Sequence, residues 1–415
     1  MRHRTFIPAI LVSALFMRCA AAQNLSASNA EQSNLEQSNY EEAMKATDFD
    51  GIDFFSQRDV PPLHRLCNSS HIDIQALRDL VAGGADVNQV YQVRMPGGDR
   101  LGLTPIGIAC YRKDIDVEAI RVLVELGAKL DLPSVYSTPN GNRELTPLIA
   151  ACDRSEIDDE AVQVLLELGA DINATAENGD TAIMVASDRR EFDAAVIEML
   201  MDKGANLNIA AYNGTTFLSA IMRDERLTYK AIAMGARTDF ADNMNTDALG
   251  FASAWGTPNL VKDFIGRGFD VNGKNTLGES NLLVAAYHNR LDVVQMLHEA
   301  GADLTAKSDA GESALMNACS NKKALSVVQK PQLDLVKYLV KHGNKVNEED
   351  NTQWTALDYA AYNKVDASDV IAFLIQSGAK VNHQTRKGST PLMLARHPNN
   401  ARMLIKKRGK YQTKG

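Results

Sequence analysis

Residues 102–131 read GLTPIGIACYRKDIDVEAIRVLVELGAKLD, and residues 144–173 read ELTPLIAACDRSEIDDEAVQVLLELGADIN. About half of the aligned positions are identical and most others exchange like for like, so a chain that folds one segment must fold the other the same way. Repeats of this kind begin at Pro61, Thr104, Thr146, Thr181, Thr215, Asp247, Ser280, Ser313, Thr355 and Thr390, at spacings of 43, 42, 35, 34, 32, 33, 33, 42 and 35 residues. Such a period is too short for a self-sufficient domain. Each repeat is one supersecondary element that cannot cover its own apolar side, and stacked copies supply the cover. Length alone suggests two or three compact domains for 415 residues, but a repeat array voids that estimate.

The recurring residues define the element. Thr104-Pro105, Thr146-Pro147 and Thr390-Pro391 place a hydroxyl that accepts from free backbone N–H groups and a proline where the first turn has no N–H to lose. A helix is predicted to start at each. Five positions into nine repeats stands an alanine (Ala109, Ala151, Ala186, Ala220, Ala252, Ala285, Ala318, Ala360 and Ala395), with Leu66 in its place in the first. A small side chain there lets a second helix come close. That second helix shows an apolar stripe, Ile120, Leu123 and Val124 in one copy and Val162, Leu165 and Leu166 in the next. Glycine follows in nine repeats, at Gly84, Gly127, Gly169, Gly204, Gly235, Gly268, Gly301, Gly343 and Gly378, where a left-handed residue ends the helix. A tract such as ADVN or ADIN then leads onward.

Helix, turn, helix and a short excursion at this period, written with TPLIAAC, VVQMLHEAGADL and PLHRLC, resemble the ankyrin repeat and its T-P-L-H-x-A signature. The resemblance covers residues 40–405. It implies an all-α ankyrin-repeat solenoid of about ten helix-turn-helix units with short hairpin-like fingers. A degenerate N-terminal unit containing Phe54 and Phe55 and a basic-faced cap, GSTPLMLARHPNNARMLIKKRGK, close its ends.

The departures from that pattern matter. CYRKDID, CDRSEID and SDRREFD insert two residues between the helices and lose the usual glycine-histidine, so the turn must differ. Only His64 keeps the signature histidine, so the hydrogen-bonded ladder that this residue helps to build in the family is not expected along this chain. The repeat from Thr215, with RDERLTYKAIAMGA, has a weak apolar stripe and is the predicted soft spot.

Two insertions, NQVYQVRMPGGDRLG and DLPSVYSTPNGNREL, fall where the family projects its fingers. Longer loops on one face of a solenoid often form its binding face. Tyr91, Arg94, Met95, Arg100, Tyr136 and Arg143 supply the aromatic and guanidinium groups that dominate protein interfaces, and they are the expected protein-binding residues. The alternative is that both insertions are tolerated surface loops. A third insertion, SNKKALSVVQKPQLD, lies away from the fingers and is read as structural or disordered.

Composition removes other classes. A net charge of -8 and a pI near 5.6 lack the basic footprint of a nucleic-acid binder. The basic residues 406–415 read as a short solvated tail. Residues 1–22 have the layout of a secretory signal, with Arg2 and Arg4, an apolar stretch from Phe6 to Met17, and Ala20, Ala21 and Ala22 at a cleavage site. The stretch is shorter than the roughly 20 residues that span a bilayer. Cys19 raises lipidation, against which stand Met17 and Arg18. Residues 23–39 are polar and nearly repetitive, a flexible leader. The expected location is therefore the periplasm or the outside of the cell, with no membrane insertion after signal removal.

Cys67, Cys110, Cys152 and Cys319 share one register. Equivalent positions in stacked helices lie about 8–10 Å apart, against the roughly 4.4–6.8 Å between Cα atoms that a disulfide needs, so buried free thiols are predicted. No cysteine-histidine cluster, H-E-x-x-H, G-x-S-x-G or phosphate-binding loop is present. The acids of DRSEIDDE read as helix caps and dipole partners. Trp255 falls in a first helix, and Trp354 at a fingertip is either an interface anchor or inter-repeat packing. The expectation is a monomeric, non-catalytic, cofactor-free scaffold that binds another protein. A host-directed effector, a toxin-neutralising immunity protein and an enzyme with an unrecognised site remain as alternatives.

Overall fold

A computed structural model describes residues 60–69, 71–94, 100–112, 114–138, 141–154, 157–188, 192–320 and 331–411. The signal, the leader, the degenerate N-terminal unit before Val60, most of the third insertion and residues 412–415 lie outside the described residues. Contacts divide the described chain into two compact units, one through Ile221 with Lys230–Arg237, the other Met222–Tyr229 with the chain from Thr238 onward.

The first unit stacks helix pairs α1 (Pro62–Cys67) and α2 (Ile74–Ala82), α3 (Pro105–Tyr111) and α4 (Val117–Glu125), α5 (Pro147–Cys152) and α6 (Asp159–Glu167), and α7 (Ala182–Ser187) and α8 (Ala194–Asp202), then α9 (Phe217–Ile221). Two antiparallel hairpins interrupt it, β1 (Tyr91–Arg94) with β2 (Arg100–Leu103) and β3 (Ser134–Thr138) with β4 (Gly141–Leu145). Helix α10 (Glu225–Ala233) is shared between the units. The second unit holds α11 (Ala248–Trp255) and α12 (Pro258–Gly266), α13 (Asn281–Tyr287) and α14 (Leu291–Glu299), and α15 (Ala314–Cys319) and α16 (Leu333–Lys341). It ends with α17 (Ala356–Ala361) and α18 (Ser368–Gln376), and α19 (Pro391–Leu394) and α20 (Pro398–Tyr411). Among the described residues these make ten helix pairs, in agreement with the expected all-α repeat fold. Helix α20 runs on past Ile405, so most of the basic tail extends the last helix.

Local chemistry starts and stops the helices as expected. Thr104 Oγ1 accepts from Gly107 N at 3.0 Å, Thr146 from Ile149 N at 3.4 Å and Thr390 from Met393 N at 3.4 Å, each just before a proline. The lengthened turns bring an aspartate to the next helix: Asp116 accepts from Ala119 N and Asp158 from Ala161 N, both at 3.0 Å. The acids of DRSEIDDE thus include a cap, as predicted. All nine expected glycines are left-handed, with φ from 88° to 105°, and the Gly127 N–H bonds to the Val124 carbonyl at 2.9 Å to close α4.

First helices in the middle of the stack are buried on nearly every side, unlike the end helices α1 and α19. All six residues of α5 are buried, because neighbours flank it along the stack and its own second helix covers a third side. Second helices bury one stripe. In α4 it is Ala119, Ile120, Val122 and Leu123, whereas Val124 is half-buried; in α6 it is Ala161, Val162, Val164 and Leu165, whereas Leu166 is half-buried. The four cysteines lie buried at their shared register, with no disulfide among them.

One repeat starts a residue later than its sequence suggests. Single bridges close successive fingers, pairing Thr175 with Thr181, Ala210 with Thr216 and Ala241 with Asp247. The counterpart of Thr181 is therefore Thr216, not Thr215. A left-handed glycine two residues earlier marks the same register, Gly179 at φ 85° and Gly214 at 81°. Five positions on from Thr216 stands Ile221, fully buried, while Ala220 is half-buried, so Ala220 does not fill the close-approach position. This is the repeat with the weak apolar stripe, and the boundary between the compact units passes through its α10.

Asparagine side chains tie successive repeats together. The Asn88 side chain donates to the Gly127 carbonyl and accepts from Lys129 N, both at 2.8 Å. Asn208 does the same with Gly235 (3.0 Å) and Arg237 (2.8 Å), and Asn347 with Gly378 and Lys380 (both 2.8 Å). Each bond satisfies a carbonyl that the end of a helix leaves open, and ties it to the preceding repeat.

Candidate protein-binding site

The two hairpins extend from adjacent repeats of the first unit, and they are close-packed on each other: a Cβ on Gly102 of β2 would lie 3.7 Å from Val135 of β3. The second finger is fastened to α3. Thr104 N donates to Ser134 Oγ at 3.0 Å, and the two hydroxyls lie 2.9 Å apart. Ser134 and Tyr136 alternate onto the same strand face, and both are fully buried. The Tyr136 hydroxyl donates to the Gly107 carbonyl at 2.8 Å, and its ring stacks on Tyr111 at 4.3 Å.

Tyr136 was expected to offer its ring to a partner. It is 0 % exposed and acts as the hydrophobic root of its finger, so that expectation is corrected. Arg143, opposite Tyr136 in the ladder, is also turned to internal work, with Asp153 at 3.1 Å and the buried Asp180 at 3.6 Å. Burial pushes the Asp180 carboxyl above its usual pKa, with Asn178 and Arg143 pulling the other way. Tyr91 is half-buried, its ring edge-on to His64 at 5.7 Å. Arg94 and Arg100 are cross-strand partners in β1–β2. Met95 lies outside the described residues. Sequence reasoning missed Ser134 and Gly107; the signal for them was the glycine in TPIGIAC where the next copy has Ile149, a gap that a residue from an insertion fills.

The first finger is rooted by His64. Its Nε2 lies 2.9 Å from the Gln89 carbonyl and 3.1 Å from the Leu103 carbonyl, so Nε2 carries the proton and donates. Burial lowers the His64 pKa below its usual 6.5, against the opposing effect of those carbonyls. The folded state holds the ring neutral, while the unfolded chain takes up a proton near pH 6.5. Stability from this site is therefore complete above about pH 6.5 and is lost as pH falls through that value toward the lower folded pKa. His64→Gln is expected to flatten the fall in urea midpoint between about pH 7 and 5; an unchanged slope would count against this assignment.

In the second unit an open concavity of about 690 Å³ is lined by Trp255, His288, Asn289, Arg290, Asp292 and Gln332. Trp255 meets His288 at 4.3 Å, and Arg290 donates to the Ala252 carbonyl at 2.9 Å, closing the end of α11. Trp354 packs on Tyr359 at 5.2 Å and Tyr362 at 5.3 Å, in and at the end of the helix of its own repeat, so these ring contacts lie within one repeat and not between neighbours. Burial drives the Cys67 thiol up to about 12 and raises Cys110 and Cys319 as well, so these sulfurs stay protonated rather than nucleophilic at neutral pH. Among the described residues, no three or more His, Cys, Asp or Glu side chains converge to hold a metal, and no helix is long and apolar enough to cross a membrane.

Repeated helix pairs joined through short fingers define a repeat protein of the stacked, scaffold-forming class. A family model described as ankyrin repeats (3 copies) matches residues 63–176, 132–211, 249–330, 282–385 and 327–414. The chain belongs to the ankyrin-repeat family, whose members are usually non-catalytic protein-binding scaffolds. It is similar to a putative ankyrin repeat protein of Acanthamoeba polyphaga mimivirus, 37% identical over 94 residues, 22% of this chain and 12% of that protein. It is similar to the intracellular phospholipase A2 of Caenorhabditis elegans, 32% identical over 138 residues, 32% of this chain and 12% of that protein. The putative ankyrin repeat protein YahD of Escherichia coli (strain K12) is 25% identical over 169 residues, 40% of this chain and 80% of that protein.

Proposed function

We propose that this chain is a non-catalytic scaffold that grips another protein through the β1–β2 and β3–β4 fingers, in the periplasm or outside the cell. The observation behind this reading is that the fingers are rigidly rooted, by His64 under the first and by Ser134 and Tyr136 under the second. A partner then meets a surface whose ordering entropy was spent in folding. Arg94 and Arg100 of the first finger supply guanidinium groups of the kind that dominate protein interfaces. Tyr91 adds an aromatic anchor beside them. The export half of the proposal is supported by the Arg2 to Ala22 stretch alone.

The triple variant Tyr91→Ala, Arg94→Ala, Arg100→Ala is expected to lose partner capture in pull-down from the exporting cell by about thirtyfold, the loss of roughly 2 kcal/mol typical of an interface hot spot. The double variant Arg94→Ala, Arg100→Ala, which leaves the Tyr91 ring against His64, should lose part of that capture while keeping the parent's thermal midpoint. Undiminished capture would overturn the finger assignment. Fractionation tests location: the mature chain should be in the periplasmic fraction or the culture supernatant, and cytosolic retention would overturn export.

A further inference from the structure

We propose that His298 and His342 form a chelate for one divalent transition-metal ion of the imidazole-preferring class, with Cu²⁺ bound most tightly. The two residues sit at the ends of α14 and α16, on consecutive second helices of the second unit. Their ring centroids are 5.3 Å apart with planes at 70°. Two imidazoles in adjacent positions on one ion, with metal–nitrogen bonds of about 2.0–2.1 Å, place their ring centres about 4.5–5 Å apart, from the square angle that Cu²⁺ favours to the tetrahedral angle of Zn²⁺.

The proton positions suit the same chemistry. His342 Nδ1 lies 2.8 Å from the Tyr338 carbonyl, which can only accept, so Nδ1 carries the hydrogen and Nε2 keeps its lone pair. His298 Nδ1 lies 2.7 Å from the Tyr338 hydroxyl, and donation to that oxygen gives the same tautomer. A ligand imidazole whose other N–H is held by a neighbour is the common arrangement at metal sites, because the bond sets ring orientation and basicity. Here one residue does this twice: Tyr338 bonds His298 through its hydroxyl, bonds His342 through its carbonyl, and lays its ring 4.1 Å from that of His342. His342 is exposed and His298 half-buried, so an ion reaches them from solvent. With two protein ligands, water completes the coordination, and no closed cage selects a metal by size. Intrinsic affinity then governs, and the Irving–Williams order places Cu²⁺ above Zn²⁺. Once bound, the ion ties α16, which follows the long third insertion, to the preceding second helix.

The test is titration of the full chain with CuCl₂ and, separately, ZnCl₂, by calorimetry and copper EPR, with the double variant His298→Ala, His342→Ala as the blank for other histidines. The wild type should bind one equivalent more than the blank, with two nitrogen ligands in the EPR spectrum and Cu²⁺ held more tightly than Zn²⁺. Either single variant should lose that equivalent, and His298→Gln should do the same while keeping a polar side chain at the site. Tyr338→Phe, a positioning change, should keep the one-to-one stoichiometry and the two-nitrogen spectrum but weaken binding about tenfold. Equal stoichiometry in wild type and blank, or full binding in either single variant with a parent-like circular dichroism spectrum, would overturn the proposal.

Discussion

Tyr136→Ala is expected to cost about 3–5 kcal/mol, the range for removing a fully buried aromatic ring. The ring is 0 % exposed, stacks on Tyr111 at 4.3 Å and carries a hydroxyl bonded to Gly107, so truncation leaves a cavity and removes one of the hydrogen bonds to that carbonyl. Tyr136→Phe separates the two contributions. It keeps the ring, loses the hydrogen bond, and should cost only about 1 kcal/mol, rising toward 3 if no water reaches the Gly107 carbonyl. Because stacked repeats unfold by neighbour-coupled steps, the loss should be read with a probe in the first compact unit as well as by a global urea melt. A melt of Tyr136→Ala within 1 kcal/mol of the parent would mean that the ring is not the root of its finger. The same result would restore Tyr136 to the list of partner-facing residues, so this one substitution decides between a structural and a binding role.

Much of the architecture was legible because it is written in short-range chemistry. A threonine-proline pair starts a helix and a left-handed glycine ends one wherever they stand, so α3, α5 and α19 could be located before any packing was known. The two hairpins were legible as insertions at the finger position. What was not legible depends on partners distant in sequence. Tyr136 and Tyr91 occur in similar insertions, and only the alternation of β3 against α3 sends Tyr136 fully inward, while Tyr91 stays half-buried on His64. The displaced start at Thr216 was hidden because Thr215 is also a threonine, and composition cannot say which of two adjacent hydroxyls meets Ala210. The asparagine ladder was visible as the last letter of ADVN, but its function is a bond to the next repeat, which a reading of one repeat at a time does not reveal.

Gly107→Ala is expected to destabilise the chain by about 2–3 kcal/mol, against the usual direction for this exchange inside a helix. Helix propensity favours alanine by about 1 kcal/mol. Space opposes it. A Cβ at this position would lie 2.1 Å from Ser134 Oγ and 2.8 Å from Thr104 Oγ1. Ser134 would have to withdraw, which breaks its bonds to Thr104 N and to the hydroxyl that caps α3. Overpacking of a tight core costs about 1–3 kcal/mol, and stranding a buried polar group costs about as much again, so the steric and polar losses exceed the propensity gain. Ser134→Gly removes the obstructing atoms, and in a double-mutant cycle the pair should be less destabilised than the sum of the two single changes by about 1 kcal/mol or more. If Gly107→Ala instead raised the urea midpoint, propensity would have won, and the second finger could not be seated as closely on α3 as these distances require.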